Sequence, residues 1–174
     1  VVRFFRLMQL TPEIQEEINQ VRQNCGYFFM EGWSLLSAKG KDTLPFLQTQ
    51  TTTDALQLQV GQGQSSAITD RQARLITSFS LHRIDENESW LLSDNAKTLH
   101  DHLESYHFRE VVAFDMLNLD LLALQGPKSI LVLEKVFSSL PEKPNGIARH
   151  NVEGVPLTVI KKSLTGEEGV IICL

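Results

Sequence analysis

Apolar positions along the chain alternate between two spacings. After Thr11 and Pro12, an N-cap and a first-turn proline, Ile14, Ile18 and Val21 recur at i, i+4 and i+7, the spacing of an amphipathic packing helix. Tyr27 to Ser37 is rich in aromatic and apolar residues and reads as strand. Gly40 and Asp42 supply a turn and an N-cap for a short helix carrying Leu44 and Leu47, with Pro45 tolerated in its first turn. Gly61 and Gly63 break the chain before a strand at Ser65 to Thr69. Leu75, Phe79 and Leu81 mark a longer strand, which forms a hairpin with Ser89 to Ser93 across Asp85-Glu86-Asn87-Glu88.

Asp94 is expected to cap a helix whose apolar side is Leu99, Leu103 and Tyr106. Val111 to Leu124, long and β-branched at its start, forms one or two strands. Pro127 opens the next helix, with Ile130, Leu133 and Phe137 facing inward. Beyond the 141–145 loop, Val155, Leu157 and Val159 alternate as a strand, and Val170 to Leu174 is another. Strands arriving in hairpins, separated by single helices without a βαβ rhythm, predict an α+β fold of antiparallel sheets with packed helices rather than a doubly wound parallel sheet.

Composition narrows the class. A chain of 174 residues with 42% apolar content can bury one good core or two small ones. Its longest apolar run falls far short of the roughly 20 residues that span a bilayer, so a soluble, cytoplasmic protein with no membrane partner is expected. Cys25 and Cys173 are too few for a disulfide framework and too far apart for a metal knuckle; both are read as buried small hydrophobes. Ile84 to Asp120 holds nine acidic residues against Lys97 and Arg109, a local charge of −7 that leaves +2 for the rest of the −5 chain. Without a basic stripe to neutralise phosphates, direct nucleic-acid binding is not expected.

Motifs read from residues alone carry little chemistry. His100, His102 and His107 lie close in sequence, but positions 100 and 102 point in different directions on a helix and make a poor metal pair. Gly61-Gln62-Gly63 lacks the third glycine or lysine of a phosphate cradle. Ser65 and Ser66 lack the Gly-x-Ser-x-Gly context of a nucleophile elbow, which leaves no basis for a triad with His82 or His150.

Longer segments point further. Gly40 to Asp54 contains a glycine–aspartate turn, Phe46-Leu47-Gln48 and Thr51-Thr52-Thr53-Asp54. Asp70-Arg71-Gln72-Ala73-Arg74 forms a turn block. Arg83, Trp90-Leu91-Leu92, Leu121-Leu122-Ala123-Leu124-Gln125-Gly126-Pro127 and Leu164-Thr165-Gly166-Glu167-Glu168-Gly169 follow in order. Together these segments resemble the folate-binding superfamily of the glycine-cleavage T protein, in its YgfZ-like branch, over about residues 28 to 174. Thr53, Ala73 and Leu164 stand where the superfamily usually has asparagine, glycine and tyrosine.

That resemblance implies a tetrahydrofolate-binding fold and a set of site residues. Glu167 corresponds to the glutamate that holds the pterin, where a carboxylate accepts parallel hydrogen bonds from the ring amino group and the adjacent N–H. Trp33, Trp90 and Leu92 lie on strands whose counterparts line the pterin pocket. Thr77 and Ser78 replace the aspartate pair beside the reactive folate nitrogen. A hydroxyl cannot match a carboxylate in stabilising a cation, so no catalytic residue is assigned and Ser78 is counted only as a ligand contact. Read without the resemblance, Glu167 is an exposed turn residue, Trp33, Trp90 and Leu92 are core residues, and Asp54 caps or turns the chain.

The resemblance also implies organisation and role. A helical extension over 1–25 precedes an α+β region over 26–174, built from two intertwined subdomains and truncated at its C-terminus. The superfamily closes a ring of three domains, and the branch's Lys-Gly-Cys-Tyr-x-Gly-Gln-Glu motif would fall after Leu174. The function expected is that of a YgfZ-like factor in iron–sulfur cluster assembly or repair, maintaining iron–sulfur enzymes such as tRNA-modifying ones, with tetrahydrofolate as cofactor and iron–sulfur proteins as partners. Folate-dependent aminomethyl transfer and a non-catalytic protein-binding scaffold are the open alternatives.

Overall fold

The computed structural model describes residues 11–174; the first ten residues of the expected N-terminal extension lie outside the described residues. Thr11 caps helix α1 (Pro12–Gln23), its hydroxyl accepting from the Ile14 amide at 3.4 Å. The apolar stripe is where the spacing places it, but no residue of α1 is buried, and Ile14 and Ile18 stay exposed. The strand expected over 27–37 is two strands. β1 (Gly26–Phe29) ends in a turn in which the Trp33 amide donates to Met30 O and Gly32 adopts a φ of 81°, and β2 (Ser34–Lys39) continues in a different sheet. Met30 and Trp33 flank this turn and mask it in a hydropathy pattern.

Helix α2 (Thr43–Gln50) follows with Asp42 at its N-cap position, though the Asp42 carboxylate does not cap it: Oδ2 accepts from the Val111 amide at 2.7 Å. Strands β3 (Gly63–Thr69), β4 (Leu75–Arg83) and β5 (Glu88–Ser93) form the expected hairpin region. Ala73 sits in the β3–β4 turn at a φ of 60°, the left-handed conformation that glycine adopts without steric cost and alanine does not. The cap expected at Asp94 is not made. Helix α3 (Ala96–Ser105) has Asn95 at its N-cap, and the Ser93 hydroxyl accepts from the Asn95 amide. Leu99 and Leu103 are fully buried, whereas Tyr106 is exposed against the ring of His102.

The 111–124 segment divides into β6 (Ala113–Leu117) and β7 (Leu121–Gln125), again in different sheets. α4 (Ser129–Leu133) is little more than one turn, and the buried Phe137 lies beyond its end. β8 (Ile147–Val152) is a strand that the sequence pattern did not indicate. It pairs with β9 (Val155–Lys161) through Glu153 and Gly154, both at positive φ, the tight-turn geometry of a two-residue hairpin. β10 (Gly169–Cys173) is the last strand in chain order.

Among the described residues all pairings are antiparallel, in two five-stranded sheets of order β3-β4-β5-β2-β6 and β1-β7-β10-β9-β8. The layers run helices, sheet, sheet, helix. Leu36, Leu81 and Leu91 meet Leu44, Leu47, Leu99 and Leu103 of α2 and α3. Leu35 and Leu92 meet Ala123, Ile160, Ile171 and Cys173 between the sheets, and Val159, Val170 and Ile172 meet Leu133 and Phe137 on the far side. Because β10 and the middle of β2 are covered on both faces, Val170 to Cys173 and Leu35-Leu36 are apolar without alternation, and each fully buried leucine or isoleucine contributes about 2 kcal/mol. Cys173 is buried between the sheets, which pushes its thiol up to about 12, while Cys25 is only half-buried, short of the burial expected of it. No helix among the described residues is long and apolar enough to cross a membrane.

Candidate functional site

The two most diagnostic segments of the sequence touch each other. Gln125, at the end of β7, is fully buried, and its side chain is spent on the loop between β9 and β10. Nε2 donates to Lys162 O at 3.0 Å and to Val170 O at 3.3 Å, and Oε1 accepts from the Leu164 amide at 2.8 Å. Gly126 N and Ser129 Oγ both donate to Glu168 O. Gly169 lies so close that an added Cβ would stand 2.3 Å from the Gln125 amide, so a side chain there has no space. The Leu121–Pro127 segment is therefore a clamp that fixes the turn carrying Glu167.

Glu167 is partly exposed and pairs with Arg22 of α1, Nη1 to Oε1 at 2.9 Å. It lines a cavity of about 350 Å³ together with Ser65 of β3, Asn145, Lys161, Lys162 and Ser163. Trp33, Trp90 and Leu92 come together in the apolar cluster between the sheets, and Leu164, three residues before Glu167, packs against the same cluster. The Trp90 indole N–H donates to Glu88 Oε1 at 2.8 Å, so its polar edge is already engaged.

Thr77 and Ser78 cannot act as a pair, because successive strand residues face opposite ways. Thr77 is buried opposite Ile68 on the helix-covered face, and Ser78 is exposed on the face shared with Ser80 and His82. Ser78 is not among the residues that line the cavity, although Ser65, which does, is the register partner of Ser80.

Beneath this face lie polar groups not assigned from the sequence. His82 is completely buried, its Nδ1 donates to Asn145 O at 3.0 Å, and its Nε2 has no partner among the described residues; neither does the hydroxyl of buried Ser80. Burial brings the His82 imidazole down to about 4, with the Lys162 ammonium acting in the same direction. It is a neutral Nδ1–H tautomer at neutral pH. Gln125 could have been found from its place before Gly-Pro at a strand end; for His82 no local signal exists.

A buried Gln125 permits a direct prediction. Gln125→Glu keeps the acceptor for Leu164 but sets a carboxylate oxygen against the Lys162 and Val170 carbonyls, and is expected to destabilise the loop by about 2 kcal/mol. Hydrogen exchange at the Leu164 amide would then accelerate by at least about tenfold, whereas unchanged exchange would remove Gln125 from this role.

Two antiparallel sheets packed face to face with helices outside them, and a carboxylate turn clamped where β9 leads into the central strand β10, make an α+β fold. The family described as "GCVT N-terminal domain" matches residues 2–173, and the chain belongs to that family. It is 29% identical over 168 residues to an aminomethyltransferase of Thermus thermophilus, covering 93% of this chain and 48% of that protein. It is 31% identical over 163 residues to the aminomethyltransferase of Bacillus mycoides, covering 90% of this chain and 44% of that protein. The glycine cleavage system aminomethyltransferase T from Bartonella henselae superposes with a TM-score of 0.80 at 26% identity, over 91% of this chain and 44% of that one. A chain of the heterotetrameric sarcosine oxidase from Corynebacterium sp. U-96 shares the fold, with a TM-score of 0.63 at 17% identity, over 93% of this chain and 83% of that one. The chain thus spans about half the length of the curated relatives it matches.

Proposed function

We propose that this domain binds a reduced folate, with Glu167 as the carboxylate that receives the pterin ring, in a YgfZ-like protein serving iron–sulfur cluster assembly or repair. The observation that carries the folate reading is the clamp: a buried glutamine, a glycine with no room for a side chain and two backbone contacts hold the Glu167 turn at the mouth of a cavity between the sheets. Arg22 takes one acceptor site of Oε1, so the second site of Oε1 and all of Oε2 remain to accept in parallel from a ring amino group and its neighbouring N–H. The flat face of such a ring would lie toward Leu164 and the cluster of Trp33, Trp90 and Leu92.

The aminomethyltransferase relatives favour a second reading, in which the whole protein transfers an aminomethyl group. Against it stand Thr77 and Ser78, two hydroxyls on opposite faces of β4, where a carboxylate is needed to stabilise a developing cation. Calorimetry with tetrahydrofolate tests the binding step. Glu167→Ala is expected to weaken binding by about tenfold or more, the scale of a lost charge-assisted hydrogen bond. Equal affinity of the two proteins would sink the assignment of Glu167, and turnover with glycine-cleavage partners would replace the maintenance role by aminomethyl transfer.

A further inference from the structure

Four charged side chains line the cavity, and three of them are already paired. Lys161 Nζ lies 3.3 Å from Glu168 Oε2, and Glu167 is held by Arg22. Lys162 makes no ion pair among the described residues; its ammonium reaches only Asn145 Oδ1 at 3.4 Å. Its backbone is fixed on both sides, since its N–H donates to Gly169 O at 3.0 Å and its carbonyl accepts from Gln125. The residue is half-buried, and burial lowers its pKa, the mark of a cation short of compensation. The hydroxyl-bearing residues Ser65 and Ser163 share the cavity wall, and His82 beneath it is neutral, so among the described residues that line the cavity Lys162 is the one charge without an ionic partner.

We propose that Lys162 is the cationic contact for a carboxylate or phosphate group of the molecule that fills this cavity, with the Ser65 and Ser163 hydroxyls as accessory donors. A half-buried ammonium gains most from an anion brought to it in a site of restricted solvent, where the pairing is stronger than on an open surface. The proposal does not require the folate reading of Glu167, because the charge imbalance stands whatever else the cavity holds. If the ligand is a folate, the anion is a carboxylate of its glutamate tail; a phosphate-bearing ligand would satisfy the same contact.

The experiment uses the chain with isotopically labelled lysine, the Lys162 resonance being assigned by its loss in Lys162→Met. Inorganic phosphate and tetrahydrofolate are titrated in parallel with tetrahydropterin, which has no carboxylate. The expected result is that tetrahydrofolate or phosphate shifts the Lys162 signal and tetrahydropterin does not. In calorimetry Lys162→Met should weaken the anionic ligand by about tenfold and leave tetrahydropterin unchanged, while Lys162→Arg keeps most of the affinity. A Lys162 signal unmoved by saturating phosphate and tetrahydrofolate overturns the proposal, even if Glu167-dependent folate binding persists. A phosphate shift at Lys162 without folate binding upholds it and removes the folate reading instead.

Discussion

Taking the protein from pH 7 to pH 4 is expected to destabilise the fold by about 3 kcal/mol through His82 alone. The unfolded histidine takes up its proton near pH 6.5, whereas the buried one does so only at about 4. Between those values the unfolded chain binds more protons than the folded one, so stability is full above the unfolded value and falls as the pH drops through this window. The physical origin is the geometry of the ring. Nδ1–H is committed to Asn145 O, so a second proton must go to Nε2, which is buried without a partner and near the Lys162 ammonium. Urea unfolding at a series of pH values checks this, with His82→Asn as the non-titrating comparison. The variant retains a side-chain donor for Asn145 O and should lose the steep part of the profile between pH 6.5 and 4. Surface carboxylates held low by neighbouring backbone N–H groups, Asp70 by that of Arg74 and Glu110 by that of Arg109, act in both proteins and cancel in the difference. Parallel profiles would show that His82 does not govern the acid limb.

Gly126→Ala is expected to be the most damaging small substitution in the clamp, at about 3 kcal/mol or more. Gly126 has a φ of 125°, and an added Cβ would meet Val21 O at 2.5 Å, Asn24 O at 2.6 Å and Cys25 Cα at 2.7 Å. All three are backbone atoms of the segment that ends α1, and backbone cannot step aside as a flexible side chain can. Gly154 separates the two causes, since its φ is 91° but nothing lies within 4 Å of where a methyl would stand. Gly154→Ala should therefore cost only the conformational strain, about 1 kcal/mol. Denaturation midpoints of the two variants measure the difference, and equal losses would mean that the close approach of α1 to Gly126 carries no weight. Moving α1 would also draw Arg22 away from Glu167, so the more severe variant should alter ligand affinity as well as stability.

Much of this architecture is readable from the residues. The spacing of Ile14, Ile18 and Val21 located α1, the polar stretch before Glu88 located the β4–β5 hairpin, and Pro127 located the start of α4. Where reading failed, the cause is that hydropathy does not report which sheet a strand joins. Residues 27–37 form one apolar run but belong to two sheets, because Gly32 turns the chain between Met30 and Trp33. β8 gives no strand signal because Arg149, His150 and Asn151 interrupt its apolar residues, and its residues are only half-buried or exposed. At the site, Glu167 and the aromatic residues could be named by resemblance alone; Trp33, Trp90 and Leu92 meet in one cluster with Leu164, while Glu167 lines a cavity that none of those three lines. The pairing state of Lys162, the orphaned Nε2 of His82 and the three hydrogen bonds of Gln125 depend on distant partners, which no local pattern encodes.

The chain distributes its strands unevenly in time as well as in space. The helix-covered sheet is assembled entirely from residues 34–117, whereas its partner needs β1 from before that block and β7 to β10 from after it, with Gly26 opposite Gln125. During synthesis the first sheet can close as soon as Leu117 has emerged, while β1 has no partner until β7 arrives, and Tyr27 and Phe29 remain exposed even after the two strands pair. The cavity takes Ser65 from the early sheet and Lys162 and Glu167 from the last loop to form. Binding at this cavity would therefore report that both sheets have formed, and a chain stalled before Gly169 would carry the first sheet alone and is expected not to bind there.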